Sequence, residues 1–454
     1  MATETQWVSK AIARALPEDL APVDALRAVA DASHSVFLES GGEISEGARW
    51  TMLAFDPLWR VSLRDGALWQ EERRLVGAPL EALRDVWPAP VLWENAPPIP
   101  FRSGLAGYVG YDFKDCVERF PSRARLDSSL PDLSLGYYDV VWAWDRSTGR
   151  GWVVSSDSRR LEEQWERLVR APRAAGGEWV PPRAIRSNFT RDEYLRAVER
   201  ALEHIAAGDI YQVNLAQRFE AELACDPLRL YLRLRESSPA PFSSFLTLPE
   251  GAIASSSPER FFRVEERTIE TWPIKGTRPR GRDRDDDALL EAALRASEKD
   301  RAENVMIVDL ERNDLGRVCE IGSVEVPSLC EVASYANVHH LVSRVRGVLR
   351  EDVHPADVWR ALFPGGSITG APKIRAVEII DALEPVRRGV YTGAIGYWDL
   401  GGSCDWNIAI RTMVMEQGRI WFHAGGGIVA DSTPEGEYEE TRVKASAMMR
   451  ALGP

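Results

Sequence analysis

Residues 363–381 read FPGGSITGAPKIRAVEIID, a glycine-rich loop that opens a helix. The glycines and prolines predict irregular backbone up to Pro372, and the apolar spacing that follows predicts a helix over 373–383. A loop at a helix N-terminus suits contact with an anion. This one lacks the GxxxxGK[ST] order of a nucleotide P-loop, so ATP use is not indicated.

Outward from this loop, helical and strand-like segments alternate. A helix begins at Thr190 with a capping pattern and stops at Gly208. Short apolar runs between turns predict strands, and the mixture predicts an α+β fold. Further helices are predicted at 288–301, 355–363 and 438–452, and strands at 35–38, 140–144, 211–219, 252–254, 260–264, 395–398, 408–415 and 420–424.

The chain divides into two regions. Residues 1–175 alternate short apolar runs with turns and hold most of the 16 tryptophans, which predicts a β-rich N-terminal region. Proline, glycine and alanine cluster between residues 170 and 186, where periodicity disappears. We therefore place a linker there, with a second region over 186–454.

Charge and cysteine content narrow the classes of function. The 56 basic and 69 acidic residues give a net charge of −13, which disfavours nucleic acid and anionic membranes as partners. An anionic substrate would need concentrated local positive charge. The 5 cysteines are scattered, which indicates neither a disulfide framework nor a zinc site. Residues 1–30 lack a signal-peptide pattern, and no stretch of about 18 apolar residues occurs, so we expect a cytoplasmic protein.

The C-terminal segment offers a candidate cation and anion site. Ala424 and the three glycines at 425–427 would let backbone N–H groups approach an anion, although such triplets are usually plain turns. Glu437 and Glu440 lie one helical turn apart, with Lys444 a further turn along. This is either a solvated charged face or an oxygen-ligand site for Mg²⁺, to which Glu303 would add a carboxylate.

Three other positions carry candidate chemistry. Lys275 lies in PIKGT, where desolvation could lower its pKa and make it a nucleophile, although this short pattern taken alone is far more typical of a surface lysine beside a glycine. Glu259 precedes a predicted strand, where burial would raise its pKa for proton donation; the alternative is an ion pair with Arg260. Arg411, predicted in a buried strand, requires a carboxylate partner from either a ligand or the protein. The histidine pair at 339–340 fits a core or surface position.

Seven motifs in this order resemble the chorismate-utilising enzyme family. The resemblance runs from about Asn188 to the C-terminus, and the N-terminal half matches more loosely through VFLES at 36–40 and GLAGYVGYD at 104–112. The motifs are SPERF (257–261), PIKGT (273–277), DRAENVMIVDLERND (300–314), FPGGSITGAPKIRAVEIID (363–381), GAIGYW (393–398), AGGGIVADS (424–432) and EYEET (437–441).

The resemblance implies a large α+β fold of stacked antiparallel sheets flanked by helices, with residues 186–454 as the chorismate-binding catalytic region. It implies that Lys275 attacks C2 of chorismate while Glu259 protonates the departing C4 hydroxyl, after which ammonia enters at C4 and expels the lysine. Anthranilate synthases have alanine at position 275, so Lys275 favours amination at C4, on the route to p-aminobenzoate and folate. Isochorismate synthases carry a lysine base where this chain has Gln212, which disfavours hydration of the ring.

The resemblance also assigns ligands. It implies that Mg²⁺ is bound by Glu303 and Glu440, with Glu437 contacting the ion through water. Together with Mg²⁺, the side chains of Lys275, Arg411 and Lys444 would supply the local positive charge that an anionic substrate needs in an acidic protein. The implied substrate-binding residues are Gln212, Thr277, His340, Thr369, Tyr397, Arg411, Gly425, Gly426, Gly427 and Lys444.

A partner and a regulatory site follow from the same resemblance. No segment resembles a glutamine amidotransferase, so we expect a separate glutaminase subunit to deliver ammonia. Leu38, Glu39 and Ser40 resemble the segment that lines a tryptophan pocket in relatives; the alternative is a core strand that ends in a polar turn.

Two rival functions stay open at this point. An anthranilate synthase component shares nearly every motif and is disfavoured by Lys275 alone. A non-catalytic chorismate sensor is disfavoured because each position that the chemistry needs holds a competent side chain.

Overall fold

The computed structural model describes residues 7–42, 44, 47–121, 123–170, 179–222, 225–334 and 338–453. The predicted linker lies partly at 171–178, outside the described residues. Two short 3-10 helices occupy Tyr111–Phe113 and Gly366–Ile368. The α-helices are α1 (Pro22–Ala28), α2 (Pro79–Val86), α3 (Lys114–Val117), α4 (Ser158–Arg170), α5 (Arg191–Ala206), α6 (Pro227–Ser237), α7 (Arg284–Ala296), α8 (Glu298–Gly316), α9 (Pro355–Leu362), α10 (Lys373–Leu383) and α11 (Pro434–Leu452).

The strands account for most of the remaining regular structure. They are β1 (Trp7–Lys10), β2 (Ile12–Ala15), β3 (Ser35–Glu39), β4 (Trp50–Phe55), β5 (Trp59–Arg64), β6 (Ala67–Gln70), β7 (Arg73–Arg74), β8 (Val91–Glu94), β9 (Gly104–Val109), β10 (Leu133–Tyr138), β11 (Val140–Asp145), β12 (Arg150–Ser155), β13 (Arg186–Ser187), β14 (Gln212–Glu222), β15 (Phe242–Leu248), β16 (Gly251–Ser257), β17 (Arg260–Glu265), β18 (Thr268–Thr271), β19 (Ile274–Pro279), β20 (Glu325–Ser334), β21 (Val338–Val348), β22 (Gly370–Ala371), β23 (Ala394–Asp399), β24 (Cys404–Asn407), β25 (Thr412–Glu416) and β26 (Arg419–Ile428).

Two 12-stranded antiparallel sheets form the body of the protein. Sheet I has the order β19-β21-β18-β17-β24-β23-β9-β10-β5-β6-β7, with β20 paired to β21. Sheet II has the order β13-β14-β26-β25-β16-β15-β3-β4-β11-β12-β2, with β22 paired to β14. Each sheet takes strands from both sides of residues 175–186, so the two sequence regions share both sheets.

The sheets stack face to face and helices cover their outer faces. Between them, Val36 and Ile253 of sheet II pack with Tyr108 and Ile395 of sheet I. Helices α2, α8 and α9 cover sheet I through a second core cluster, and α1, α4, α6 and α11 cover sheet II through a third. The expected α+β architecture of stacked antiparallel sheets flanked by helices is confirmed.

Side-chain alternation along β14 decides which groups face the interior. Val213 and Leu215 pack with Tyr194 of α5 and Ile380 of α10. Since successive residues of a strand point to opposite faces, Gln212 and every second residue after it in β14 face the other sheet.

Most local predictions are confirmed, and three are wrong. The helix after Thr190 has the expected capping box with Glu193, and α10 spans the predicted residues. The predicted helix 288–301 is two helices, because Ser297 ends α7 and caps α8 through Asp300 N. The glycines at 425–427 lie inside β26 rather than in a turn, and residues 408–411 precede β25 instead of belonging to it. Within the described ranges, no helix is long and apolar enough to cross a membrane.

Candidate active site

The candidate residues meet near one edge of both sheets. Sheet I contributes β19 and β21, and sheet II contributes β14 and β26. Residues 364–372, which we term the glycine loop, lie between these strands, since β22 of the loop pairs with β14. The two sheets and the loop therefore surround one site.

Lys275 is presented by a β-bulge. It lies opposite Leu341 of β21, and the register shifts between Lys275 and Thr277. Gly276, in the bulge, has φ 76°, and a Cβ there would lie 2.9 Å from the Asp300 side chain. A side chain at this position would be strained and crowded, so the bulge requires glycine.

The amine of Lys275 is held by the glycine loop. Its Nζ donates a hydrogen bond of 3.0 Å to the backbone oxygen of Ser367. Burial lowers the pKa of Lys275, against the opposing effects of Glu259 and Glu303. A lowered pKa makes the neutral amine more available than in an ordinary exposed lysine.

Glu259 is the carboxyl group beside this amine. It is 6% exposed, and burial raises its pKa, while a hydrogen bond with the Ser367 side chain and the charge of Lys275 act in the opposite direction. The alternative ion pair is not formed, because Arg260 pairs with Asp405 at 2.9 Å and with Glu270. Its raised pKa and its position beside Lys275 are compatible with the predicted role as a proton donor, which stays a prediction.

Thr277, His340 and Arg411 form the next part of the wall. Thr277 Oγ1 lies 2.9 Å from His340 Nδ1. Burial, followed by the charge of Arg411, lowers the pKa of His340 to about 4, which leaves the imidazole neutral near pH 7. His340 therefore donates or accepts hydrogen bonds without carrying charge.

Arg411 is the least compensated cation of the site. Its backbone has φ 50°, and burial lowers its pKa. Of the two partners expected, a structural Asp or Glu is absent among the residues that the structure describes, since its guanidinium makes no ion pair there. A partly buried guanidinium without an ion-pair partner in the described protein is costly to desolvate and suits an anionic ligand.

The acidic residues of α11 converge on Gly426. A Cβ built on this glycine would lie 2.8 Å from Glu437 Oε2 and 3.2 Å from Glu440 Oε1. Glu437 Oε1 accepts a hydrogen bond of 2.6 Å from Ser432, and its buried Oε2 has no partner in the described part of the chain. Burial raises the pKa of Glu437. An orphaned carboxylate oxygen of this kind fits a cation.

Glu303 and Lys444 complete this side of the site. Lys444 Nζ lies 2.7 Å from Glu440 and donates to Gly425 O at 3.0 Å. The charge of Glu303 in α8 acts to raise the pKa of Lys275, and burial raises the pKa of Glu303 itself. Across the described ranges, no three acidic, histidine or cysteine side chains lie close enough to hold a metal together. Binding of Mg²⁺ by Glu303, Glu437 and Glu440 stays a prediction.

Gln212 and Thr369 differ in whether their side chains have hydrogen-bond partners. Gln212 is 2% exposed, and its buried Nε2 has no hydrogen-bond partner among the described residues. The amide nitrogen of Gln212 could therefore donate a hydrogen bond to a ligand. Thr369 is fully buried, and its hydroxyl donates to Gly365 O at 2.8 Å, so it supports the loop.

Tyr397 and the VFLES segment lie apart from this group. Tyr397 packs in the core between the sheets, where its ring stacks on Phe101 at 4.9 Å. The carboxylate of Glu39 is paired with Arg235 at 2.7 Å and accepts a hydrogen bond from Tyr231. Leu38 and Ser40 adjoin it at the end of β3. A substrate contact from Tyr397 and a tryptophan pocket at residues 38–40 stay predictions.

No motif in the sequence singles out Ser367. Its backbone oxygen contacts Lys275 and its side chain contacts Glu259, so it links these two residues. The glycine-rich loop was recognised, but which of its residues faces Lys275 depends on the packing of two sheets.

Comparisons with known proteins agree with this geometry. Residues 34–450 match the family of chorismate binding enzymes. The chain is 40% identical over 423 residues to aminodeoxychorismate synthase component 1 of Escherichia coli, which covers 92% of this chain and 93% of that one. It is also 40% identical over 441 residues to anthranilate synthase component 1 of Thermus thermophilus, covering 95% of each chain.

Solved structures show the same architecture. Anthranilate synthase component I from Streptococcus pneumoniae superposes with a TM-score of 0.80 at 32% identity and covers 89% of this chain and 93% of that chain. MenF, the menaquinone-specific isochorismate synthase of Escherichia coli, shares the fold with a TM-score of 0.74 at 18% identity, covering 97% and 94%. The chain belongs to the chorismate binding enzyme family and is an aminating, chorismate-utilising enzyme of that family.

Proposed function

We propose that this protein is the chorismate-aminating component of aminodeoxychorismate synthase, which forms 4-amino-4-deoxychorismate for p-aminobenzoate and folate synthesis. The observation that carries the proposal is the position of Lys275. Its amine, with a pKa lowered by burial, is held by Ser367 O beside the protonatable Glu259. An alanine at position 275, as in anthranilate synthases, would leave this pocket without a nucleophile.

The reaction runs in two displacements. The neutral Lys275 amine forms a bond to C2 of chorismate, the ring double bonds shift, and the C4 hydroxyl leaves as water with a proton from Glu259. Ammonia then bonds to C4, the double bonds shift back, and the lysine leaves C2. The net change is chorismate plus ammonia to aminodeoxychorismate plus water. Arg411 would hold a carboxylate of the substrate throughout.

Magnesium fits the carboxylates of this site. Glu440 and Glu303 would hold the ion and Glu437 would contact it through water, and the orphaned Glu437 Oε2 supports that assignment. When bound, Mg²⁺ would neutralise substrate charge that these glutamates would otherwise repel.

A glutaminase subunit and a cytoplasmic location belong to the same proposal. Relatives named component 1 imply a second component, and we infer that it supplies ammonia from glutamine. The cytoplasmic location is inferred from the five scattered cysteines, which lie in described ranges and are compatible with a reducing compartment. Purified chain should use ammonium salts but not glutamine; glutamine-dependent turnover by this chain alone would contradict the partner.

Product analysis tests the function. Purified protein is incubated with chorismate, Mg²⁺ and ammonium, and half of the samples receive an aminodeoxychorismate lyase. We expect p-aminobenzoate only where the lyase is present. Anthranilate without the lyase would identify an anthranilate synthase component, the rival that shares most motifs. Absence of any aromatic product would favour a chorismate sensor.

A further inference from the structure

Glu384 and Arg388 form a buried ion pair behind the glycine loop. Their side chains are 4% and 1% exposed, and Arg388 Nη2 lies 2.6 Å from Glu384 Oε1. Among the described residues, the hydrogen bonds of this pair go to the glycine loop, β14 and Thr392, and none goes to Lys275, Glu259 or Arg411. A buried pair of this kind is by itself weak evidence for stability, because desolvation of the charges offsets their attraction.

Arg388 uses all of its hydrogen-bond donors. Its Nε donates to Glu384 Oε2 at 2.9 Å, and Nη2 donates to Glu384 Oε1 and to Asn214 O at 2.8 Å. Its Nη1 donates to Ile368 O at 3.0 Å and to Thr392 Oγ1 at 3.3 Å. Five contacts match the five N–H groups of a guanidinium, an arrangement that a lysine cannot reproduce.

The contact with Ile368 O places Arg388 one residue away from Ser367, which bonds both Lys275 and Glu259. Ile368 follows Ser367, whose backbone oxygen accepts from Lys275 and whose side chain bonds Glu259. Arg388 therefore anchors the peptide adjacent to the residue that joins nucleophile and acid. Movement of this peptide would displace both groups.

The pair also ties the loop to β14. Asn214 N donates to Thr369 O at 2.8 Å, and Ala216 N donates to Glu384 Oε1 at 2.9 Å. The strand that carries Gln212 and the glycine loop are thus held by one charged unit.

We infer that Arg388, supported by Glu384, is a positioning residue: by bonding Ile368 O it fixes the glycine loop, and with it the neighbouring Ser367, between Lys275 and Glu259. This inference rests on the proposed roles of Lys275 and Glu259 and goes beyond them by naming the group that sets their geometry. A misplacement of about 1 Å in such a site costs on the order of 100-fold in rate.

The test compares Arg388→Lys with Arg218→Lys. Arg218 is a matched control, because it is 4% exposed, pairs with Asp127 at 2.6 Å and has no contact with the glycine loop in the described structure. We expect Arg388→Lys to lower kcat by about 10- to 100-fold, with the KM for chorismate within about threefold. Arg218→Lys should lower the melting temperature about as much as Arg388→Lys does, and it should leave kcat within about threefold of the wild-type value. Equal losses of kcat in the two variants would overturn the inference.

A second readout does not require turnover. The rate at which a small amine-directed reagent modifies Lys275 is followed against pH by peptide mass spectrometry, with Lys299 as an exposed reference in the same digest. We expect the Lys275 profile to move in Arg388→Lys and to stay unchanged in Arg218→Lys. An unchanged profile in both variants would overturn the inference, whereas a wild-type protein that makes no product would count against the proposed function alone. If Arg388→Lys does not fold, Glu384→Gln replaces it, with the same expectations.

Discussion

The backbone oxygen of Ser367 accepts a hydrogen bond of 3.0 Å from Lys275 Nζ, while the side-chain hydroxyl of Ser367 donates a hydrogen bond to the carboxyl group of Glu259. Burial lowers the pKa of Lys275 because the charged ammonium loses its hydration, and the charges of Glu259 and Glu303 oppose this effect only in part. Burial acts on Glu259 in the opposite direction and raises its pKa. The two groups are thereby biased toward a free amine and a neutral acid, the protonation states that the first displacement requires.

The rate should depend on pH through both groups. Activity rises with pH as Lys275 loses its proton, which its lowered pKa allows earlier than for an ordinary lysine. Activity falls as the pH rises through the raised pKa of Glu259, because the group then loses the proton that it must donate. We expect a bell-shaped profile of kcat/KM for chorismate, and Glu259→Gln should remove about 100- to 10,000-fold of the rate. A flat profile, or a Glu259→Gln variant of nearly wild-type rate, would contradict these roles.

Arg411 should contribute binding and little stability. Arg411→Met should raise the KM for chorismate by roughly 10- to 100-fold, since a charged hydrogen bond contributes about 1.5–3 kcal/mol. Its melting temperature should be equal to or above that of wild type, because the partly buried guanidinium has no ion-pair partner in the described protein to lose. Steady-state kinetics and thermal melts measure both quantities. A large fall in melting temperature with unchanged KM would mean that Arg411 is structural.

Gly426 should govern the magnesium requirement. The methyl group of Gly426→Ala would press on Glu437 Oε2, 2.8 Å away, and move the two carboxylates. We expect the Mg²⁺ concentration for half-maximal activity to rise about 10- to 100-fold, in protein stripped with EDTA and titrated with Mg²⁺. Gly316→Ala is the control, since a Cβ there meets nothing within 4 Å. Equal Mg²⁺ titrations for the two variants would rule out this site.

Much of the fold could be predicted, because local signals mark it. The capping box of Thr190 and Glu193 and the apolar spacing of α10 are readable over a few residues, and both predictions are confirmed. The break between α7 and α8 was missed, although Ser297 before three polar residues is a capping signal. The glycines of β26 were read as a turn because their partner, β14, lies about two hundred residues earlier, and no local pattern reports such pairing.

The site was predictable by residue type more than by geometry. The motifs name Lys275, Glu259 and Arg411, and burial shifts the pKa of each, whereas their catalytic and binding roles stay predictions. Arg411 was assigned to a strand because its neighbours are apolar, but its φ of 50° turns it out of β25. The contact from Ser367 and the anchor from Arg388 require the loop to be seated on sheet II. Contacts of that kind depend on tertiary packing alone.

Glu311, behind the site, should make stability depend on pH. It is hydrogen-bonded by Thr271, and burial raises its pKa from 4.5 to about 8. The folded protein then holds a proton that the unfolded chain releases, so stability is lost as pH rises from 4.5 toward 8. We expect Glu311→Gln to melt at a temperature that falls less over this range than that of wild type. Glu298→Gln, at an exposed position of the same helix, should follow wild type; parallel curves for all three would exclude the effect.

The central claim is that Lys275 forms a covalent bond to the substrate. The most direct measurement mixes the protein with chorismate and Mg²⁺ in the absence of ammonia and records its intact and peptide masses. We expect an adduct of chorismate less one water on the peptide that carries Lys275, lost when ammonium is added and absent from Lys275→Ala. Aminated product from Lys275→Ala at the wild-type rate, or an adduct at another residue, would contradict the account.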